Sequence, residues 1–253
     1  MNTLLRATNI TKIYDDSGNE PALNRVSLTL NKSEFVAIMG PSGSGKSTLL
    51  YNISGMDTVS EGSVKLAGQE LSTLSEKELS TIRLNNMGFV FQHMHFLKNL
   101  SIIDNIILPA YFAKKESRHT INERAKSLMK KTGIKDLLNK NITEVSGGQL
   151  QRAAICRALI NQPDIIFGDE PTGALHSKAA KNIIEILADI NETGTAILIV
   201  THDLKVAART ERVLYMLDGK IIGECSLGQL KKNEKLIKER EEKLAHWLQT
   251  MGF

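Results

Sequence analysis

Gly40-Pro41-Ser42-Gly43-Ser44-Gly45-Lys46-Ser47 lies between an apolar run, Phe35 to Met39, and a stretch with Leu49, Leu50 and Ile53 at helical spacing. The order is strand, glycine-rich turn, helix. Glycines at this spacing let the backbone curl so that successive N–H groups converge on one anion. The positive end of the following helix adds to that attraction. Lys46 is placed to reach terminal phosphates, and the Ser47 hydroxyl to hold Mg²⁺. Residues Gly40 to Thr48 therefore form the expected cradle for a nucleoside triphosphate.

Further along, Ile165-Ile166-Phe167-Gly168 ends in adjacent carboxylates, Asp169 and Glu170. Beside a phosphate loop, an acid at the end of a neighbouring strand coordinates Mg²⁺ directly or through water, which suits Asp169. Glu170 then stands where it can orient or deprotonate an attacking water. Ser146-Gly147-Gly148-Gln149 leads straight into a helical pattern. A hydroxyl followed by two permissive glycines there suits an anion nest and an ordinary helix cap equally. Gln92 ends the short run Gly88 to Phe91, and His202 follows Ile197 to Thr201.

These residues need an α/β scaffold, and the chain supplies one. At 253 residues it can form one large α/β domain or two small ones. The first 30 residues alternate as an edge hairpin, Ala7 to Tyr14 and Ala22 to Leu30 about a turn at Asp15 to Asn19. Gly62 to Leu66 with a turn at Ala67-Gly68 suggests a second hairpin. Residues 93–160 change to helical patterns, as in Ile121 to Thr132 and Gln149 to Ile160, and read as a helical insertion. Strands return at Asp164 to Phe167 and Ala196 to Val200, separated by a helix with Ile183, Ile186, Leu187 and Ile190 on one face. That order implies a parallel sheet with crossovers. Val213 to Leu217 and Lys220 to Ile222 form a closing hairpin through Asp218-Gly219, and Leu230 to Leu248 is a charged amphipathic helix.

Composition excludes several classes. Apolar residues are 42% and charged residues 24%, ordinary for a globular protein, and no stretch approaches the ~20 apolar residues of a membrane span. The amino terminus has no signal-peptide pattern. A net charge of +4 permits contact with anionic headgroups but lacks the concentrated basic stripe of a nucleic-acid protein. Cys156 and Cys225 have no metal-ligand spacing and read as reduced cytosolic thiols.

The order of the motifs, with Tyr14 ahead of them, resembles the ATP-binding subunits of ABC transporters over about Leu5 to Gly223. The resemblance implies a P-loop ABC ATPase core with a parallel sheet, an N-terminal antiparallel β subdomain and an inserted helical subdomain. Its expected divisions are 1–92, 93–160, 161–225 and a C-terminal helix over 226–253. It also implies ATP and Mg²⁺ as ligands, with Ser47, Gln92 and Asp169 toward the metal. Lys46, Gln92, Glu170 and His202 would serve hydrolysis, His202 contacting the γ-phosphate, and Tyr14 would stack on adenine. Ser146, Gly147 and Gly148, followed by Gln149, match the signature motif, which in this family meets ATP held by a second copy. The implied partners are that second copy, in a head-to-tail nucleotide sandwich, and a separate membrane-spanning permease, with no nucleic acid. The implied location is cytoplasmic, peripheral on the inner face of the cell membrane.

Gly55-Met56-Asp57, Met87 to Gln92, Asn105 to Pro109 and Asp169 to Leu175 resemble the subgroup serving macrolide export, lipoprotein release and bacitracin-type peptide resistance. The antimicrobial-peptide branch of Gram-positive bacteria is the nearest, partly through the ending His246 to Phe253. A lipoprotein-release or mechanical-transmission complex is the alternative within the subgroup. Non-transport ABC ATPases carry long coiled coils between the two nucleotide motifs, and the 123 positions from Lys46 to Asp169 leave no room for them. One departure stands out. His176 occupies a position where the family usually has Asp, and imidazole cannot reproduce a fixed carboxylate acceptor, so weakened coupling between two sites is expected. In the C-terminal helix Leu230, Ile237 and Leu244 keep a heptad spacing that Asn233 and Arg240 interrupt, against a coiled coil. Packing on the domain and contact with a membrane component both suit its apolar stripe, Trp247 and mixed charges.

Overall fold

The structure, a computed structural model, describes residues 3–14, 20–230 and 233–252. Apolar continuity decides its centre. In β3 (Phe35–Met39) and β8 (Ala196–Val200) every residue is buried, the pattern of parallel strands covered on both faces. With β6 (Met87–Phe91), β7 (Ile165–Asp169), β9 (Arg212–Leu217) and β10 (Lys220–Ser226) they form a sheet of order β10-β9-β3-β8-β7-β6. All neighbours run parallel except β9 and β10, whose tight hairpin makes the sheet mixed at that edge.

A second, antiparallel sheet has the order β2-β1-β4-β5, built from β1 (Thr3–Lys12), β2 (Leu23–Asn31), β4 (Glu61–Leu66) and β5 (Gln69–Glu70). Here the expected edge hairpin is corrected. β1 is an interior strand, because its second side pairs with β4 in the register Leu5↔Leu66. The turn expected at 15–19 lies outside the described residues.

Helices cover the sheets in three apolar clusters. Leu49, Leu50 and Ile53 of α1 (Lys46–Ile53) fill the space between the two sheets. On the other face α6 (Ser177–Glu192) buries Ala180, Ile183, Ile184, Leu187 and Ala188, the single stripe of an amphipathic helix. The third cluster belongs to the helical insertion: α3 (Ile102–Ala113), α4 (Arg118–Lys131) and one side of α5 (Gly147–Leu159). Ala153 and Cys156 of α5 face the insertion while Ile155 and Ala158 face the main sheet, so α5 joins the two bodies. Both cysteines are buried and free, and burial pushes the Cys156 thiol up to about 12. The short helices α2 (Glu76–Asn86) and α7 (Leu204–Ala207) complete the core.

The last helix, α8 (Glu234–Thr250), packs on its own domain. Leu244 and Leu248 are buried in the second cluster, and the Trp247 ring meets Tyr215 edge-to-face at 6.3 Å. The residues that interrupt the heptad have other tasks. Asn233 caps α8, and the Arg240 guanidinium donates to the carbonyls of Ala208, Thr210, Leu227, Gly228 and Gln229. Among the described residues no helix is long and apolar enough to cross a membrane.

Candidate functional site

Register brings the site together. Ile38 pairs with Val200, Val200 with Asp169, and Asp169 with Phe91, so four parallel strands end level. The residues that follow them, the loop from Gly40, then His202, Glu170 and Gln92, all emerge at the same carboxyl edge of the sheet. Open parallel sheets bind ligands at that edge.

The loop has little freedom. Gly45 caps α1 with φ +94, and a Cβ there would stand 2.6 Å from the Ala22 carbonyl oxygen; at Gly40 it would stand 2.1 Å from that of Met216. Only glycine lets the two segments approach so closely. The result is a cleft of about 550 Å³ lined by Gly40, Pro41, Ser42, Gly43, Gly45, Lys46, Ser47, Thr48, Ala22, Glu170 and His202. Ser44 faces inward instead, its Oγ buried without a hydrogen-bond partner among the described residues, while its carbonyl accepts from Gly219 N–H. Lys46 Nζ donates to Pro41 O at 2.6 Å. Burial pushes its ammonium below the ordinary range, opposed by the charges of Glu170 and Asp169. A cation so poorly hydrated attracts a phosphate more strongly than one in water.

At the end of β7, Asp169 accepts from two groups on one face of α1: Ser47 Oγ donates to Oδ1 at 2.9 Å and Tyr51 Oη to Oδ2 at 2.8 Å. Burial and this bond to the carboxylate push the Tyr51 phenol up to about 12. Glu170 has φ +46, a left-handed conformation costly for a residue with a Cβ, and its N–H donates to Val200 O. Backbone strain of this kind, of order ~1–3 kcal/mol, concentrates at functional sites. His202 Nδ1 lies 3.0 Å from the Glu170 carboxylate. Gln92 N–H donates to Asp169 O, and a Cβ on Gly173 would stand 3.1 Å from both Gln92 Cδ and Glu170 Oε2. Gly173 therefore marks the point where the two side chains converge.

Ser47 and Asp169 present hard oxygen donors within hydrogen-bond distance of each other, the donor chemistry Mg²⁺ takes. Among the described residues there is no cluster of three or more His, Cys, Asp or Glu arranged around a metal.

Tyr14 lies outside the phosphate cleft, where its Oη donates to Asp57 at 2.9 Å and Lys12 Nζ sits 4.8 Å from its ring centre. Lys12 also donates to the other Asp57 oxygen at 2.7 Å. The Ser146–Gln149 segment is elsewhere too. Ser146 and Gln149 cap α5 reciprocally, and none of the four residues lines the cleft. Gly147 and Gly148 instead pack against Leu175 and Ala179.

Tyr51, Asp57 and Ala22 carry no motif that marks them as site residues in the sequence. The recognisable signal for Tyr51 was its spacing, one helical turn beyond Ser47.

Fold and cleft together define a phosphate-loop nucleoside triphosphatase. The ABC transporter family profile matches residues 23–173, and the chain belongs to that family. It is 44% identical to the lipoprotein-releasing system ATP-binding protein LolD of Aquifex aeolicus over 89% of this chain and 99% of that protein. To the bacitracin export ATP-binding protein BceA of Halalkalibacterium halodurans it is 42% identical over 89% of each. The macrolide export ATP-binding/permease protein MacB of Aggregatibacter actinomycetemcomitans is 42% identical over 86% of this chain and 34% of that longer protein. Among solved structures, the ATP-binding cassette MJ0796, dimeric and bound to ADP and Pi after hydrolysis, superposes with a TM-score of 0.83 at 38% identity, covering 90% of this chain and all of that one. This chain is an ATP-binding, ATP-hydrolysing subunit of an ABC transporter of that subgroup.

Proposed function

We propose that two copies of this chain close head to tail on two ATP molecules and drive a separate membrane-spanning permease that exports, or confers resistance to, antimicrobial peptides or other amphipathic compounds. One observation carries the composite site. The signature residues Ser146 to Gly148 stand outside the cleft that holds Lys46, Glu170 and His202, so in this reading a second copy supplies them. MJ0796 is described as a dimer in its post-hydrolysis state, which supports the pairing.

Within the cleft the roles follow from position. The Gly40–Thr48 loop binds the phosphates, and Lys46 offsets their charge. Ser47 and Asp169, with Gln92, would hold Mg²⁺, which neutralises charge on the transferred phosphoryl group. Glu170 accepts a proton from the attacking water, and His202 keeps its carboxylate oriented from 3.0 Å. Tyr14 offers a ring to the base. Assembly and loss of the nucleotide-bound interface convert hydrolysis into motion of the permease.

The subunit works as a peripheral protein on the inner face of the membrane. A second reading, lipoprotein release or mechanical transmission without conduction, is favoured by the 44% identity to LolD over nearly that protein's full length. Purifying the tagged chain with its bound membrane protein decides between them. A permease that protects cells against a cationic peptide supports export or resistance, and one that releases membrane lipoproteins overturns it.

A further inference from the structure

We propose that Tyr51 is a positioning residue for the divalent-cation end of this site, holding Oδ2 of Asp169 so that Oδ1 stays turned toward Ser47. The inference rests on the ATP-site reading above and concerns a residue to which no role there is assigned.

Ser47 and Tyr51 are four residues apart on α1, so both side chains leave the same face of the helix. Each reaches a different oxygen of the same carboxylate: Ser47 Oγ to Oδ1 at 2.9 Å and Tyr51 Oη to Oδ2 at 2.8 Å. A carboxylate with neither oxygen held rotates freely about its last bond, and a hydrogen bond to either oxygen opposes that rotation. With both oxygens held, rotation breaks a hydrogen bond. Ser47 must release its bond to Oδ1 if its oxygen is to serve a metal. Tyr51 has no such competing task, because among the described residues its phenol bonds to Oδ2 alone. Its bond therefore keeps the carboxylate aimed while Ser47 and Oδ1 exchange partners. Groups that orient a metal-ligating carboxylate typically change metal affinity or activity by about 10- to 100-fold when removed.

The main chain of Tyr51 serves the opposite end of the site. Its carbonyl accepts from the N–H groups of Met56 and Asp57, and Asp57 in turn anchors Tyr14. A change confined to the phenol leaves that anchorage in place, which makes Tyr51→Phe a clean probe.

The test measures ATP affinity with and without Mg²⁺ in a Glu170→Gln background, which prevents turnover, for Tyr51 and for Tyr51→Phe. Mn²⁺ binding to the nucleotide complex, read by electron paramagnetic resonance, is the second measurement. Tyr51→Phe should leave metal-free ATP affinity unchanged and weaken Mn²⁺ binding, and the Mg²⁺ dependence of ATP affinity, by about tenfold. Adding Tyr51→Phe to Asp169→Asn should then produce little further loss, since neighbours in one network are non-additive. Equal Mg²⁺ and Mn²⁺ dependence with and without the phenol overturns the proposal. So does a loss of metal-free ATP affinity of the same size, which marks Tyr51 as structural support only. If the Tyr51-containing protein binds no ATP at all, the ATP-site reading itself fails.

Discussion

His202 Nδ1 and the Glu170 carboxylate meet at 3.0 Å although they follow different strands, β8 and β7. The pairing holds Glu170 at the mouth of the cleft without engaging its neighbour Asp169, which is occupied by Ser47 and Tyr51. Two adjacent carboxylates are thereby directed to different tasks. Glu170→Gln should keep ATP binding, accumulate nucleotide-bound dimers on size exclusion, and lower turnover by about a hundredfold or more. His202→Ala should lower turnover by about tenfold or more. Because the groups touch, the double variant should be no slower than the slower single one. Full activity in Glu170→Gln removes Glu170 as the base.

Gly173 gives a sharper test of geometry. Its φ is not in the left-handed region, so alanine brings no backbone strain, only a methyl 3.1 Å from Gln92 Cδ and Glu170 Oε2. One side chain or the other must shift. Gly173→Ala should lower kcat by about tenfold or more, with ATP affinity and melting temperature held. A fall in ATP affinity with kcat intact contradicts the convergence of these residues on the reacting end.

The sequence revealed these features unevenly. The phosphate loop, the Asp169-Glu170 pair, the buried strands and the stripe of α6 were legible because each depends on spacing within a few residues. Contacts across the sheet were not. Nothing near Tyr51 indicates that its phenol reaches Asp169, since that contact depends on how α1, leaving β3 for the other sheet, comes to lie beside β7. β1 read as an edge strand because its second partner, β4, follows some 50 residues later. Arg240 read as a break in a heptad, and its five carbonyl partners come from segments that only the fold assembles.

The Lys12–Asp57–Tyr14 group predicts a pH effect. Burial alone raises the Asp57 pKa, but the hydrogen bonds from Lys12, Tyr14 and Thr58 N–H outweigh it and hold the carboxyl below its usual value. A depressed carboxylate contributes stability above its unfolded pKa of about 3.9, and that contribution is lost as pH falls through the folded value. Denaturation of Asp57→Asn against the native chain should show a stability gap that is constant near neutrality and closes under acid. At neutral pH the variant should also bind ATP several-fold more weakly, since Tyr14 loses its anchor. A gap that persists unchanged through acid removes Asp57 as its source.

His176 is the N-cap of α6, with the extended backbone of a capping residue but no hydrogen bond from its side chain to the helix. Aspartate there would accept from an N–H of the first turn and favour the helix dipole, typically worth about 0.5–2 kcal/mol. The same short segment touches both halves of the proposed composite site. Gly173 lies against Glu170 and Gln92, while Leu175 and Ala179 lie against Gly147 and Gly148. A looser start to α6 would therefore loosen the link between one ATP cleft and the signature residues offered to the other. His176→Asp should raise the melting temperature by a few degrees and increase the cooperativity of ATP hydrolysis, leaving Lys46-dependent nucleotide binding unchanged. A variant that gains stability with the same rate and Hill coefficient limits His176 to the helix end and separates the cap from communication between sites.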